Sequence, residues 1–176
     1  FHASAVFELL QQPIIARCFG IGNAEQEAIH AWIGASGIRW GIDGRHRAEL
    51  GLPETGRHSF EDGLDRLFLG YALPASVTMP VNERLPVGNP EGSAALALGS
   101  FREFVRRLEH LHADLAKAKS ADDWRQTLVG VIDDFVLAAG DEIDAERETV
   151  AGIRELHANM THGGDIEPLS VDVVRT

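Results

Sequence analysis

The sequence has one cysteine, Cys18, in 176 residues. A lone thiol excludes an internal disulfide framework and fits a reducing compartment, so a cytoplasmic setting is expected. Cys18 lies in an apolar run with Ile14, Ile15 and Phe19, which favours a packing role over a reactive one. Lysine is nearly absent too. Lys117 and Lys119 sit at what reads as a helix end, where they suit the helix dipole better than a phosphate. No apolar stretch approaches the roughly 20 residues of a membrane-spanning helix. No basic segment precedes an apolar one at the start, so neither a membrane span nor a secretory signal is expected. There is no Gly-rich loop ending in Lys-Ser or Lys-Thr and no GxGxxG motif, which excludes the common nucleotide cradles. His110 and His112 point to different helix faces, and His157 and His162 are five apart, so neither pair has the i, i+4 spacing of a zinc helix. No catalytic residue, cofactor or metal ligand is expected in this chain.

Positive charge is also scarce: 27 acidic residues face 16 Lys and Arg, for a net charge of −11. A domain that grips nucleic acid alone normally shows a basic face, because affinity comes largely from neutralised phosphates. Acids crowd the second half, at Asp122-Asp123, Asp133-Asp134 and from Asp141 to Glu148. They read as a solvated surface, and weak or no DNA binding by the chain alone is expected.

What is present is helix, and the fold class expected is mainly α, in one domain. Ser4 can cap a short helix that breaks before Pro13, and Pro13 suits the first turn of a second one closed by Gly20. Asn23 with Gln26 resembles a capping box ahead of Ile29, Trp32 and Ile33, and Gly37 ends that helix. Residues 37–43 read as an ordered loop. Ser59 and Asp62 form a second capping box, followed by Phe60, Leu64, Leu67, Phe68 and Tyr71 at helical spacing. From 74 to 92, Pro74, Pro80, Pro86 and Pro90 mark one long irregular connection, whose Val77, Met79, Val81, Leu85 and Val87 are candidates for a partner contact. Smaller helices thus fill 1–73, and a bundle of long helices fills 93–164. Ser93 opens a helix with an inner stripe of Leu96, Phe101, Phe104, Val105, Leu108, Leu111 and Leu115. A third capping box, Ser120 with Asp123, precedes Trp124, Leu128, Val131, Ile132 and Phe135, and a last long helix runs to Gly163-Gly164. The absent initiator methionine, and a Ser170 cap over a helix cut short within 169–176, lead us to expect a piece of a longer polypeptide.

Two blocks are less generic. Gly37-Ile38-Arg39-Trp40-Gly41-Ile42-Asp43 is followed by Leu50-Gly51-Leu52-Pro53, and then by Gly63-Leu64-Asp65-Arg66-Leu67-Phe68-Leu69-Gly70-Tyr71-Ala72. Trp40 could stack on a base while Arg39 holds a phosphate. The apolar surroundings and the acidic composition favour Trp40 as a core plug instead. Arg66 follows Asp62 by four residues, so an intrahelical ion pair accounts for it without a ligand. Arg39, Trp40 and Arg66 are the candidates for a DNA or partner contact.

In order and spacing these blocks resemble the RecC family, the gamma subunits of exonuclease V. Ser4-Ala5-Val6-Phe7-Glu8-Leu9-Leu10 with Pro13, Leu85-Pro86, and Glu167-Pro168-Leu169-Ser170 extend the likeness along the chain. Phe60 departs from the family's tryptophan and keeps an aromatic filler. The resemblance implies a helical accessory subdomain of a superfamily 1 helicase-like fold that has lost its ATPase motifs. It implies RecB-like and RecD-like partners, which use ATP and magnesium, and a role in DNA end processing, unwinding and recombinational repair. The rival reading is a free-standing helical module that binds a protein or a ligand through the 74–91 segment.

Overall fold

The computed structural model describes residues 1–74, 76–77, 79–88, 90, 92–162 and 167–174. Among them nine helices and no strand occur, so the chain is all-α. Two compact units divide it, Phe1–Val105 and Arg106–Thr176.

The first unit begins with α1 (Ala3–Leu10), α2 (Pro13–Cys18) and α3 (Asn23–Ser36). Pro13 starts α2 as expected, because its missing N–H would be unpaired there anyway. Two caps differ from expectation. His2, not Ser4, precedes α1, and Gly22 precedes α3, with the Glu25 carboxylate accepting its N–H at 3.0 Å. Asn23 is already helical, so the cap sits one residue earlier than the Asn23/Gln26 pattern indicated, and with no side chain on Gly22 only the Glu25 half of a capping box is made. Gln26 reaches instead to the Leu10 carbonyl at 3.1 Å and ties α3 to the end of α1. A helix the sequence reading did not contain, α4 (Gly44–Glu49), follows, with Asp43 accepting the His46 N–H at 2.7 Å. Next comes α5 (Phe60–Ala72), capped by Ser59 through the Asp62 N–H as expected. The described residues between 73 and 92 are irregular apart from a tight Val81–Arg84 turn, in which Asn82 and Glu83 both take left-handed backbone angles. The start of α6 (Ser93–Leu115) completes the unit.

Its core is Val6, Leu10, Ile29, Phe60, Leu64, Leu67, Leu98, Phe101, Phe104 and Val105, all almost fully buried. Edge-to-face contacts join Phe1 to Phe60 and Phe19 to Phe104. Along α6 the buried stripe is Ala97, Leu98, Phe101, Phe104 and Val105; Leu96, expected inside, is 76% exposed. Leu96 lies one position off the i, i+3/i+4 row through Ala97 and Phe101.

The second unit holds the end of α6, α7 (Ala121–Phe135), α8 (Glu142–Thr161) and α9 (Val171–Val174). Ser120 caps α7 through the Asp123 N–H at 3.2 Å. α7 and α8 pack on each other, and His157 meets Asp122 across them at 2.7 Å. Trp124 and Phe135 are buried, whereas no residue of α8 is. Lys119 is buried as well, 2.8 Å from Asp114, so it serves an ion pair rather than the helix dipole. Lys119 and Leu169 exchange both backbone hydrogen bonds, and Trp124 Nε1 donates to the Leu169 carbonyl at 2.9 Å. Gly163 and Gly164, read as the end of the last long helix, lie outside the described residues.

Candidate functional site

Gly37 closes α3 in the left-handed conformation, and the chain then passes between two other segments. On one side Ala3 donates to the Arg39 carbonyl and Gly41 to that of Phe1. On the other, Arg39 donates to His58, Phe60 to Gly41 and Glu61 to Ile42. The 37–43 block is therefore stitched along both edges, which satisfies its backbone without a sheet. Arg39 is exposed and Trp40 half-buried. The Arg47 guanidinium covers the Trp40 ring, 4.5 Å from its centroid. Arg47 itself is only 5% exposed and donates to the carbonyls of Trp40, Thr55 and Arg57 at 2.8 to 2.9 Å. A Cβ on Gly41 would come within 3.1 Å of Arg47 Nε, and Gly41 has a φ of +85°.

The second block is the surface of α5 that receives this segment. A Cβ on Gly63 would collide with Ile38 Cγ1, and one on Gly70 with the Val87 carbonyl oxygen. Between the two glycines, Arg66 reaches both ways: Nη1 donates to Ser36 O at 2.7 Å and Nε to Leu85 O at 3.1 Å. Its own carbonyl accepts the Val87 N–H at 3.0 Å.

The expected Arg66–Asp62 ion pair does not form. Asp62 is drawn back to the helix start, where it accepts the His58 N–H at 3.2 Å and lies 3.4 Å from Arg84 Nε. Arg66 instead finds carbonyls left over by the end of α3 and by the irregular segment.

Arg66 lines a cleft of about 290 Å³ with Arg57, His58, Asp62, Glu83, Arg84 and Leu85. A second hollow of about 330 Å³ is lined by Asp65, Phe68, Leu69, Ala72, Val81, Asn82 and Arg84. Of the three sequence candidates only Arg66 lines either hollow; Arg39 and Trp40 do not. Sequence reasoning missed Arg47 and Arg57. An arginine inside a short helix and one before a cap carry no periodic signal, and carbonyl partners leave no complementary charge to search for. Chemically the cleft sets three guanidinium groups beside the carboxylates of Asp62 and Glu83. It offers no nucleophile with a base, and among the described residues no group of three or more His, Cys, Asp or Glu could hold a metal.

The whole chain, residues 1–176, matches the family described as RecBCD enzyme subunit RecC fourth domain. It is similar to RecBCD enzyme subunit RecC of Escherichia coli K12, at 30% identity over 97% of this chain and 15% of that protein. The Mycobacterium tuberculosis H37Rv subunit of the same name is 30% identical over 74% of the chain and 12% of its own length. The Haemophilus influenzae one is 28% identical over 99% and 15%. The chain thus spans about one seventh of the curated relatives it matches most fully.

Proposed function

The chain belongs to the RecC family, over the span of its fourth domain, and from that premise we propose that it is a non-catalytic, helicase-like module that braces a DNA-processing complex. Its relatives are named as subunits of the RecBCD enzyme. RecB-like and RecD-like subunits are the partners this reading assigns, with ATP and magnesium used by them. DNA is reached through the whole complex, in unwinding from ends and in double-strand break repair.

One observation carries the reading: both sequence blocks that mark the family are consumed in holding the first unit together. Gly63 and Gly70 make room for Ile38 and Val87, Arg66 bonds the segments on either side, and Arg47 covers Trp40. Residues spent on packing in this way keep a shape rather than perform a reaction. In α5 the shape depends on the absence of side chains at two positions.

The test places Gly63→Val in the full-length subunit. Branched bulk at Ile38 should lower the melting temperature, and assembly with the partner subunits and unwinding from a blunt duplex end should fall with it. DNA-stimulated ATP turnover by the isolated chain should stay at the buffer control. Lost unwinding with assembly and melting temperature intact would count against a bracing role, and ATP turnover above the control would end the non-catalytic one.

A further inference from the structure

We propose that the two hollows beside the Val81–Arg84 turn form one docking surface for a partner-protein segment that presents a carboxylate next to an apolar side chain. This rests on the bracing role above and adds to it a surface and a chemistry.

The first hollow holds positive charge that its own chain leaves uncompensated. Among the described residues the Arg57 side chain meets no hydrogen-bond or ion-pair partner, and Arg66 bonds carbonyls alone. Arg84, by contrast, is neutralised by Asp62 and Asp65, each at 3.4 Å. With Arg84 matched by Asp62 and Asp65, Arg57 and Arg66 are left facing Glu83 alone, so this hollow keeps one positive charge in excess, on a chain of net charge −11. Two guanidinium groups on carbonyls or in water match a carboxylate, which accepts parallel N–H bonds from their planar fork.

The second hollow supplies the apolar half. Phe68, Leu69, Ala72 and Val81 line it, and Arg84 is common to both hollows. The dividing turn is fixed by two reciprocal backbone bonds between Val81 and Arg84, at 2.8 and 3.0 Å. At about 290 and 330 Å³, each hollow is at the small end of ligand pockets and suits a side chain or two. Acidic and apolar side chains in succession would fill both.

A nucleic-acid strand fits less well. The chain's negative field repels a polyanion. Strand binding also relies on free aromatic faces, and the Phe68 ring already carries Arg102, 5.9 Å from its centroid.

The experiment uses the full-length subunit with Arg57→Glu or Leu85→Asp, both at exposed side chains of the first hollow. Affinity for the purified partner subunits is measured by sedimentation, and binding of the assembled complex to a single-stranded oligonucleotide is measured across salt concentrations. Each substitution should weaken assembly about tenfold at unchanged melting temperature, while Arg57→Lys retains most of it. Oligonucleotide affinity and its salt dependence should not move. Unchanged assembly in both variants overturns the proposal. So does weakened oligonucleotide binding with intact assembly, which would make the occupant nucleic acid. Should Gly63→Val impair assembly while neither Arg57→Glu nor Leu85→Asp does, the bracing role stands and this surface falls.

Discussion

Arg47 in the first unit and Lys119 in the second are both buried cations set against tryptophan, 4.5 Å from the Trp40 centroid and 5.8 Å from that of Trp124. Their remaining partners differ in kind. Arg47 donates to three backbone carbonyls and meets no carboxylate among the described residues. Lys119 lies 2.8 Å from the Asp114 carboxylate, which also accepts from Thr127 at 3.2 Å. A planar guanidinium can spread its donors over several carbonyl dipoles, although Arg47 Nε is buried here without a hydrogen-bond partner among the described residues. An ammonium is a point charge, and here it is matched by a counter-ion that titrates. The first unit has thus fixed its buried charge into the backbone, whereas the second has tied its own to a partly exposed acid.

The largest effect expected from this contrast is in the paired substitutions Arg47→Met and Lys119→Met. Arg47→Met removes the donor from the carbonyls of Trp40, Thr55 and Arg57 and uncovers the Trp40 ring. It should cost about 2–4 kcal/mol, since three charge-assisted hydrogen bonds and the ring contact are lost together. Lys119→Met leaves Asp114 its bonds from Thr127 and Lys117 and its contact with water, so about 1 kcal/mol or less is expected. Denaturant midpoints read separately from fluorine-labelled Trp40 and Trp124 decide it. Equal losses would break the comparison.

Helix glycines sharpen it at smaller magnitude. In α5, Gly70→Ala would drive a methyl group into the carbonyl oxygens of Val87 and Gly88 and should cost about 1–3 kcal/mol. In α8, Gly152 is exposed and faces open space. There the same change should stabilise by about 0.5–1 kcal/mol, through helix propensity. A stabilising Gly70→Ala would show that the close approach of residues 87–88 is not held in solution.

Much of this was legible in the sequence, and the limits are physical. Pro13, Gly37, Ser59 and Ser120 announced helix ends because each answers a local backbone need that one residue meets alone. The apolar rows of α5 and α6 followed from period, with Tyr71 and Leu96, both exposed, the slips. Helix α4 left no trace, since six residues bearing Arg45, His46 and Arg47 show no apolar face. Arg66 was visible as a member of a family block, yet its assignment to Asp62 failed. Spacing of i, i+4 records what a helix allows within itself, and not the carbonyls that distant segments bring. For the same reason the cleft was invisible: Arg57, Arg66 and Arg84 come from three separate stretches.

The smallest effect expected is a pH dependence confined to the second unit. The hydrogen bond and charge of Lys119, helped by Thr127 and Lys117, hold the Asp114 carboxyl below its ordinary value of 3.8. A carboxyl whose folded-state pKa is depressed stabilises fully above its unfolded value and loses that contribution as pH falls through the folded one. The window therefore opens near pH 3.8 and extends downward. Half-exposure of Asp114 keeps the effect small, because water screens the pair. The chain carries many other carboxylates, so wild type must be compared with Asp114→Asn rather than read alone. At neutral pH the Trp124 midpoint of Asp114→Asn should lie below that of wild type, and the gap should narrow as pH drops below about 3.8. The Trp40 midpoints of the two proteins should coincide throughout, since Arg47 rests on carbonyls that do not titrate. Trp124 midpoints that coincide at every pH would mean that Lys119 is held by Trp124 and the Leu169 backbone, with Asp114 a bystander.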